Sequence, residues 1–373
     1  MRKSFSYKAI LSPSTERKAF QWLGLCRQLY NTCLEQRRDA YQRCGKSVSR
    51  WQQNKELVNL KVELPEYKTV GSQVLQNVVA RVDIAMQNFF RRVKRGKKPG
   101  YPRFQGKNRY DSFTFPGKAG WKLEGRRLII KNVGTFKLLL SREILGDIKT
   151  VTVRHASTGK WFVSFSCDNV PERVIEPSNK EIGIDVGLKV FCADSDGNFV
   201  ENPKFFRKSE KKLRIKQRKL SRAKRGSNRR KNAKRQVARV HEKIANQRKD
   251  FTNKLALKYV QENGTIYVED LKILNMIKNK HLSKSIMDAS WAQFISRLEV
   301  AAAEAKRSVV KVSPRNTSQK CLCGEVVNKT LAVRVHRCPV CGLEMDRDIL
   351  AAKNILRFGQ NRQAQTSPLG LVV

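Results

Sequence analysis

Apolar positions in the first hundred residues pass from alternation to helical spacing. Residues 4–11 alternate and predict a short strand. Ser12-Pro13-Ser14-Thr15-Glu16 then sets small hydroxyls before an acidic first turn, a helix start. Phe20, Leu23, Cys26, Tyr30, Cys33 and Leu34 recur with helical period until Gly45. A second, basic helix begins near Trp51. A third spans about 73–93, with Val74, Val78, Val82, Ala85 and Phe89 on one face, and Gly96 and Pro99 stop it.

From 102 to 170 the period returns to two. Segments 112–115, 127–131, 135–139, 150–155 and 161–167 alternate, with Gly117, Gly125, Gly134 and Gly159 between them. Strands this closely spaced predict a small barrel or sandwich. The first strand is expected to join it, which makes the helices an insertion. Beyond a polar linker at 171–180, residues 182–194 form an apolar run broken by a turn, as a buried hairpin would be. Residues 207–250 are basic at nearly every second position. Leu213, Leu220, Val237, Val240 and Ile244 keep a sparse apolar seam there, so a helical hairpin turning at Gly226-Ser227 is expected. A strand at 265–269, a helix over about 289–308 and an end frayed from about Gly359 complete the pattern.

Charge narrows the partner. The 373 residues carry 77 Lys and Arg against 32 Asp and Glu, a formal charge of +45. A chain with that field repels itself unless a polyanion screens it, and nucleic acid is the expected partner. No uncharged apolar run is long enough to span a bilayer, which argues against a membrane. Met1-Arg2-Lys3-Ser4-Phe5 leads into alternation rather than a signal-peptide block, so cytoplasmic residence with reduced cysteines is expected. Cys26, Cys33, Cys44, Cys167 and Cys192 stand singly in apolar contexts and are expected to be small core residues.

Acidic residues interrupt apolar elements at three places: Asp185 inside one strand, Glu269 at the end of another, and the pair Asp346 and Asp348 ahead of an apolar helix. Carboxylates at buried strand ends call for cations. Hard divalent ions such as Mg²⁺ take carboxylate oxygens, and two of them serve phosphodiester hydrolysis without a His or Cys nucleophile. Taken singly, each acid reads as readily as a cap or a rim residue; their order and the basic surroundings favour the metal. Asp348 is the expected ligand, and Asp346 the helix cap. Cys321 and Cys323, then Cys338 and Cys341, form two pairs followed by glycines, as in a closed structural Zn²⁺ site. The first pair is one residue short, so His336 is kept as a substitute ligand. Arg214, Arg218, Arg222, Arg229 and Arg230 in the basic hairpin are expected phosphate contacts. Trp51, Tyr41, Tyr67 and Tyr101 lie among basic residues, where base stacking and ordinary packing are equally compatible.

At these motifs the chain resembles the TnpB family, RNA-guided nucleases of bacterial insertion sequences related to compact type V CRISPR effectors. Gly183-Ile184-Asp185-Val186-Gly187 is similar to the first RuvC motif, and Tyr267-Val268-Glu269-Asp270-Leu271 to the second. Thr317-Ser318-Gln319-Lys320-Cys321 opens a zinc element, and Asp346-Arg347-Asp348 with Ala351-Ala352 and Asn354-Ile355 is similar to the third. The resemblance implies an α+β multidomain fold: a wedge β-barrel (1–11 and 99–178), an inserted helical recognition module (12–98), an RNase H-like RuvC nuclease domain (179–315 and 346–373) and a zinc-binding element (316–345). It implies Asp185, Glu269 and Asp348 as catalytic acids holding two Mg²⁺, and Gln76 as a contact to a short motif beside the target. A noncoding guide RNA and target double-stranded DNA are the implied partners, with a protein monomer on one RNA, in a bacterial cytoplasm and on the nucleoid when DNA-bound. Two departures stand out: Leu350 replaces the usual Asn, and the Cys321–Cys323 spacing is short. A cleavage-inactive RNA-guided repressor, which typically loses catalytic acids, and a strand-transfer transposase, which needs an end-binding domain, are the alternative functions.

Overall fold

A computed structural model of the chain describes residues 1–107, 109–330 and 333–366, with side chains as far as residue 361. Two units separate by their internal contacts, Met1–Pro171 and Glu172–Val373.

The first unit opens with β1 (Lys3–Leu11) and three helices, α1 (Pro13–Cys44), α2 (Arg50–Glu63) and α3 (Ser72–Lys94). Ser12 caps α1 by accepting from the Thr15 amide, and Gly45 ends it at φ 64°. Ser49 and Gln52 close a capping box on α2. Six strands follow: β2 (Ser112–Phe115), β3 (Trp121–Glu124), β4 (Arg127–Ile130), β5 (Gly134–Leu139), β6 (Asp147–His155) and β7 (Trp161–Asp168). With β1 they form one antiparallel sheet in the order β2-β6-β7-β1-β5-β4-β3. Strand β1 sits mid-sheet, with Phe5 opposite Phe165 and Ile10 opposite Lys137. The chain therefore leaves the sheet for the helices and returns to finish it. Alternate residues Phe113, Phe115, Phe136, Val163 and Phe165 turn inward and share a core with Trp22, Leu29 and Val78 of the helices.

The second unit holds β8 (Glu181–Val186), β9 (Val190–Asp194), β10 (Phe199–Glu201), the long helices α4 (Phe205–Arg222) and α5 (Asn228–Glu262), and β11 (Thr265–Glu269). Short α6 (Ile273–Met276) and α7 (Ser283–Ala289) lead to α8 (Trp291–Glu304) and β12 (Ser308–Val312). Hairpin strands β13 (Val335–Arg337) and β14 (Glu344–Asp346) precede α9 (Arg347–Thr366). The sheet order is β10-β9-β8-β11-β12, with β8, β11 and β12 parallel. One face packs Ile182, Ile184, Ile266 and Val268 on Leu255, Phe294 and Leu298 of α5 and α8. The other packs Tyr267 and Val312 on Ile355 of α9.

Several expectations need correction. The helix expected over 289–308 stops at Glu304, and β12 begins at Ser308. Strands β3 and β10 carry no expectation at all. The end does not fray at Gly359: α9 continues to Thr366, and Gly359 is buried. Residues 367–373 of that expected tail lie outside the described residues. Of the five single cysteines, Cys44 is exposed at the end of α1, while the other four are buried.

Candidate metal centre and nucleic-acid interface

In a strand, residues two apart share a face. Gly183 and Asp185 therefore share one face of β8, and Tyr267 and Glu269 share the same face of β11. The parallel register pairs Tyr267 with Gly183 and Val268 with Ile184, which brings Glu269 level with Asp185 on the neighbouring strand. Adjacent strands stand about 4.8 Å apart, close enough for the two acids to meet.

Helix α9 runs over that face against the direction of β8. Near its far end Gln360 donates to Glu181 at 2.6 Å; in its middle Ala352 and Leu356 lie over Gly183; its first turn delivers Asp348 towards Asp185. A Cβ on Gly183 would stand 2.2 Å from the Ala352 carbonyl oxygen, and one on Gly359 2.0 Å from the Tyr267 ring. Both glycines are required for the helix to lie this low.

Asp185 senses both other acids. Burial pushes the Asp185 carboxyl well above the usual carboxylate range, and the charges of Glu269 and then Asp348 push it further; Arg347 offsets part of this. Burial also raises Glu269, against a 2.6 Å hydrogen bond donated by the Thr317 hydroxyl. Arg334 reaches both Asp348 oxygens at 3.4 and 3.5 Å, and Arg347 Nε lies 3.7 Å away. Asp346 instead accepts from the Asp348 amide at 2.7 Å and caps α9. Half-buried carboxylates gathered around Asp185, two of which raise its proton affinity, form a hard-oxygen donor set that a divalent cation would neutralise.

The four paired cysteines also gather. Cys321 and Cys341 sulfurs are 3.6 Å apart, Cys323 and Cys338 sulfurs 3.7 Å, and all four lie within 4.8 Å of one another. A tetrahedral thiolate site with metal–sulfur bonds of about 2.3 Å has edges of about 3.8 Å, so the donors fit Zn²⁺. The short first pair delivers both sulfurs: Gly324, at φ 107°, donates back to the Cys321 carbonyl and tightens the turn. Backbone amides of Cys341 and Val340 hold the Cys338 thiol down at about 7. His336 lies outside the sulfur group, with Nδ1 2.5 Å from Lys329 Nζ, so it does not substitute.

Four residues of this region carried no expected role. Thr317 bonds Glu269. Arg334 bonds Asp348. Asn354 donates to the Thr317 and Lys320 carbonyls at 2.9 and 2.6 Å, and Arg357 to the Leu322 carbonyl at 2.6 Å. Helix α9 thus grips the loop that carries both Thr317 and the first cysteine pair. A signal existed for Asn354, a polar residue at a helical position otherwise occupied by Ala351, Ala352 and Ile355.

The basic hairpin turns between α4 and α5, where Ser227 caps α5. Arg214, Arg218 and Arg222, spaced by four, are exposed along α4, and Arg229 is exposed on α5. Arg230 is partly spent on structure: Nη1 donates to the Leu220 and Ala223 carbonyls at 3.0 and 2.9 Å, closing the turn. Gln76 is exposed on α3. Of the four aromatics, Tyr67 is core, Trp51 is exposed under Lys55, and Tyr41 and Tyr101 line one cavity. No helix among the described residues is long and apolar enough to cross a membrane.

A mixed sheet with clustered carboxylates at its strand ends, interrupted by a four-thiol element, defines an α+β multidomain protein of the kind seen in compact guided nucleases. The fold is shared with a Cas12f1 chain solved with guide RNA and target DNA (TM-score 0.57, 15% identity, 95% of this chain and 98% of that one). It is also shared with Cas_phi3, a mini RNA-guided endonuclease (TM-score 0.50, 11% identity, 96% and 92% covered). Family models match as "Probable transposase" over 164–280, "Cas12f1-like, TNB domain" over 291–355 and "Helix-turn-helix domain" over 1–46. Residues 1–46 here are a strand and one unbroken helix. A Streptomyces pristinaespiralis protein named "Putative RNA-guided DNA endonuclease" is 32% identical over 96% of this chain and 90% of its own length. InsQ of Escherichia coli K12, of the same description, is 30% identical over 96% and 93%. The chain belongs to the TnpB family.

Proposed function

We propose that this protein is an RNA-guided DNA endonuclease that cuts beside a short flanking motif and supports maintenance of an insertion sequence. The names of the relatives above support the activity, and one observation carries the chemistry: Asp185, Glu269 and Asp348 come from two strands and a helix to one place. The second unit is then an RNase H-like RuvC domain, 316–345 its zinc-binding element, 1–11 and 99–178 the wedge and 12–98 the recognition module.

Two Mg²⁺ ions held by Asp185, Glu269 and Asp348 would supply an activated water and stabilise the leaving oxygen of the scissile phosphodiester. The chain's own part is positional and electrostatic. Asp185 and Glu269 sit on adjacent strands that cannot drift apart, Thr317 keeps Glu269 aimed and favours its charged form, and α9 fixes Asp348 through its contact with Gly183. The four thiolates would hold a structural Zn²⁺ with no open position, so that element stabilises the Thr317 loop. Exposed arginines of α4 and α5 track phosphates, guide pairing reads the sequence, and Gln76 reads the flanking motif.

Asp185→Ala in the RNA-bound protein, incubated with target plasmid and Mg²⁺, is expected to bind target and leave it uncut. Undiminished cutting would remove Asp185 from the mechanism. The repressor reading predicts binding without cleavage by the wild-type complex, and all three acids being in place speaks against it. A transposase would yield joined strands in a strand-transfer assay, and residues 1–46, folded as β1 and the single helix α1, offer no helix-turn-helix to bind element ends.

A further inference from the structure

Between α1, the α1–α2 turn and the end of α3 lies a cavity of about 540 Å³ walled by Tyr41, Met86, Phe89, Phe90, Val93 and Tyr101. That size falls in the roughly 300–1,000 Å³ range of small-ligand sites. Tyr41 is 69% exposed and Phe90 52%, an unusual amount of aromatic surface to leave in water. Phe89 meets Phe90 and Tyr101 edge-on, both at 5.3 Å between centroids, which braces the wall. Gln42 and Ser47 on the rim offer an amide and a hydroxyl to a planar polar edge. Residues 86–101 contain six Lys and Arg and no acid.

Aromatic faces, amide-type donors and a surrounding field of cations match one chemistry, an unpaired base with its phosphates. A second copy of this chain is disfavoured, since it would bring the same cations against themselves. Of nucleic acids, a resident RNA is the occupant that covers the patch at all times, whereas target DNA visits. Unpaired RNA loops are also where bases splay out to stack on side chains. We propose that this cavity of the helical module is a stacking site for an unpaired nucleobase of the bound RNA, with Tyr41 and Phe90 as the stacking faces. It rests on the reading that the protein carries a guide RNA.

The test uses full-length protein and the RNA that copurifies with it. Tyr41→Ala and Phe90→Ala are expected to weaken RNA binding by roughly 5- to 150-fold for each stack lost. The slope of affinity against salt should stay unchanged, because no charge is removed. Tyr41→Phe and Phe90→Tyr should restore binding, and a photo-crosslinker at position 41 should label one unpaired RNA nucleotide. Making that nucleotide abasic should erase the difference between Phe90→Ala and wild type. Equal RNA affinity of the alanine variants, or crosslinks to DNA or a second protein copy alone, would overturn the stacking site and leave the guided-nuclease reading intact. A wild-type protein that binds no RNA would overturn both.

Discussion

Gly183 and Ala352 are packed so tightly that α9 rests on the backbone of β8, with no side chain between them. A methyl group at 183 would meet main-chain atoms of the helix, which cannot rotate away, so the whole of α9 would have to lift. Gly183→Ala is expected to destabilise the second unit by about 1–3 kcal/mol. The cost to cleavage should be larger, of order 100-fold, because lifting α9 displaces Asp348 by a fraction of its distance to the other acids. Thermal melting and plasmid cutting, measured on the same preparation, check both; a variant that melts lower and cuts normally would detach Asp348 from the site.

Asp185 should weaken the metal-free fold it belongs to. Its folded carboxyl holds a proton more tightly than it would in the unfolded chain, where the value is about 3.9. Its contribution to stability is therefore fullest below that value and is lost as pH rises through the raised folded value. At pH 7.5 with chelator present, Asp185→Asn is expected to melt higher than wild type by at least about 2 °C, the effect of 1 kcal/mol in a unit of about 200 residues. At pH 4 the difference should vanish, and Mg²⁺ should raise the melting point of wild type far more than that of the variant. Equal melting at pH 7.5 would mean that neither burial nor the neighbouring carboxylates disfavour the Asp185 charge.

Where local pattern determines structure, the sequence was readable; where one residue serves a distant neighbour, it was not. Helices α1 to α5 and most strands follow from period and caps, because their buried faces repeat regularly. Strand β12 was hidden because the left-handed turn after α8 is made by Lys306, at φ 55°, and not by the glycine that usually marks such a stop. Strand β3 is a four-residue edge with half-buried Trp121 and Leu123 beside exposed Lys122 and Glu124, too short for alternation to show. Fraying from Gly359 was expected because glycine weakens a helix, whereas here it serves a close approach that only the Tyr267 ring beneath it reveals. The acids at 185, 269 and 348 were legible one by one as polar breaks in apolar runs. Their shared face depends on Gly183, and the support from Thr317 depends on a loop with no periodicity at all.

Thr317 contributes one hydroxyl to Glu269, and its loss should be read in pH as well as rate. Burial drives the Glu269 carboxyl up and the Thr317 hydrogen bond draws it back, so Thr317→Val should move it further up. The carboxylate then holds its proton more tightly and competes less well for a cation. Hydrogen bonds to charged groups are worth about 1.5–3 kcal/mol, which corresponds to roughly 10- to 150-fold in rate. At pH 7 and low Mg²⁺ cutting should fall within that range, with partial recovery at pH 8.5, and Thr317→Ser should behave as wild type. A loss independent of pH would point to a purely structural role for the hydroxyl.

The four-thiol element reaches the acids through the same loop, so removing its metal should damage catalysis from a distance. Asn354 and Arg357 hold the carbonyls of Thr317, Lys320 and Leu322, but those bonds fix only one side of the loop. The other side is tied by Cys321 and Cys323 to Cys338 and Cys341. Without a cation, four clustered thiols have no reason to stay within contact, and binding energy of the metal is folding energy of the element. Cys338→Ser, or extraction with a zinc-selective chelator, is expected to slow cutting at least 10-fold at saturating Mg²⁺ while RNA binding holds. Hydrogen exchange should rise across residues 316–346 and at Glu269, and remain unchanged in β1 to β7. Cutting at the wild-type rate after verified zinc loss would show that Thr317 is held by α9 alone.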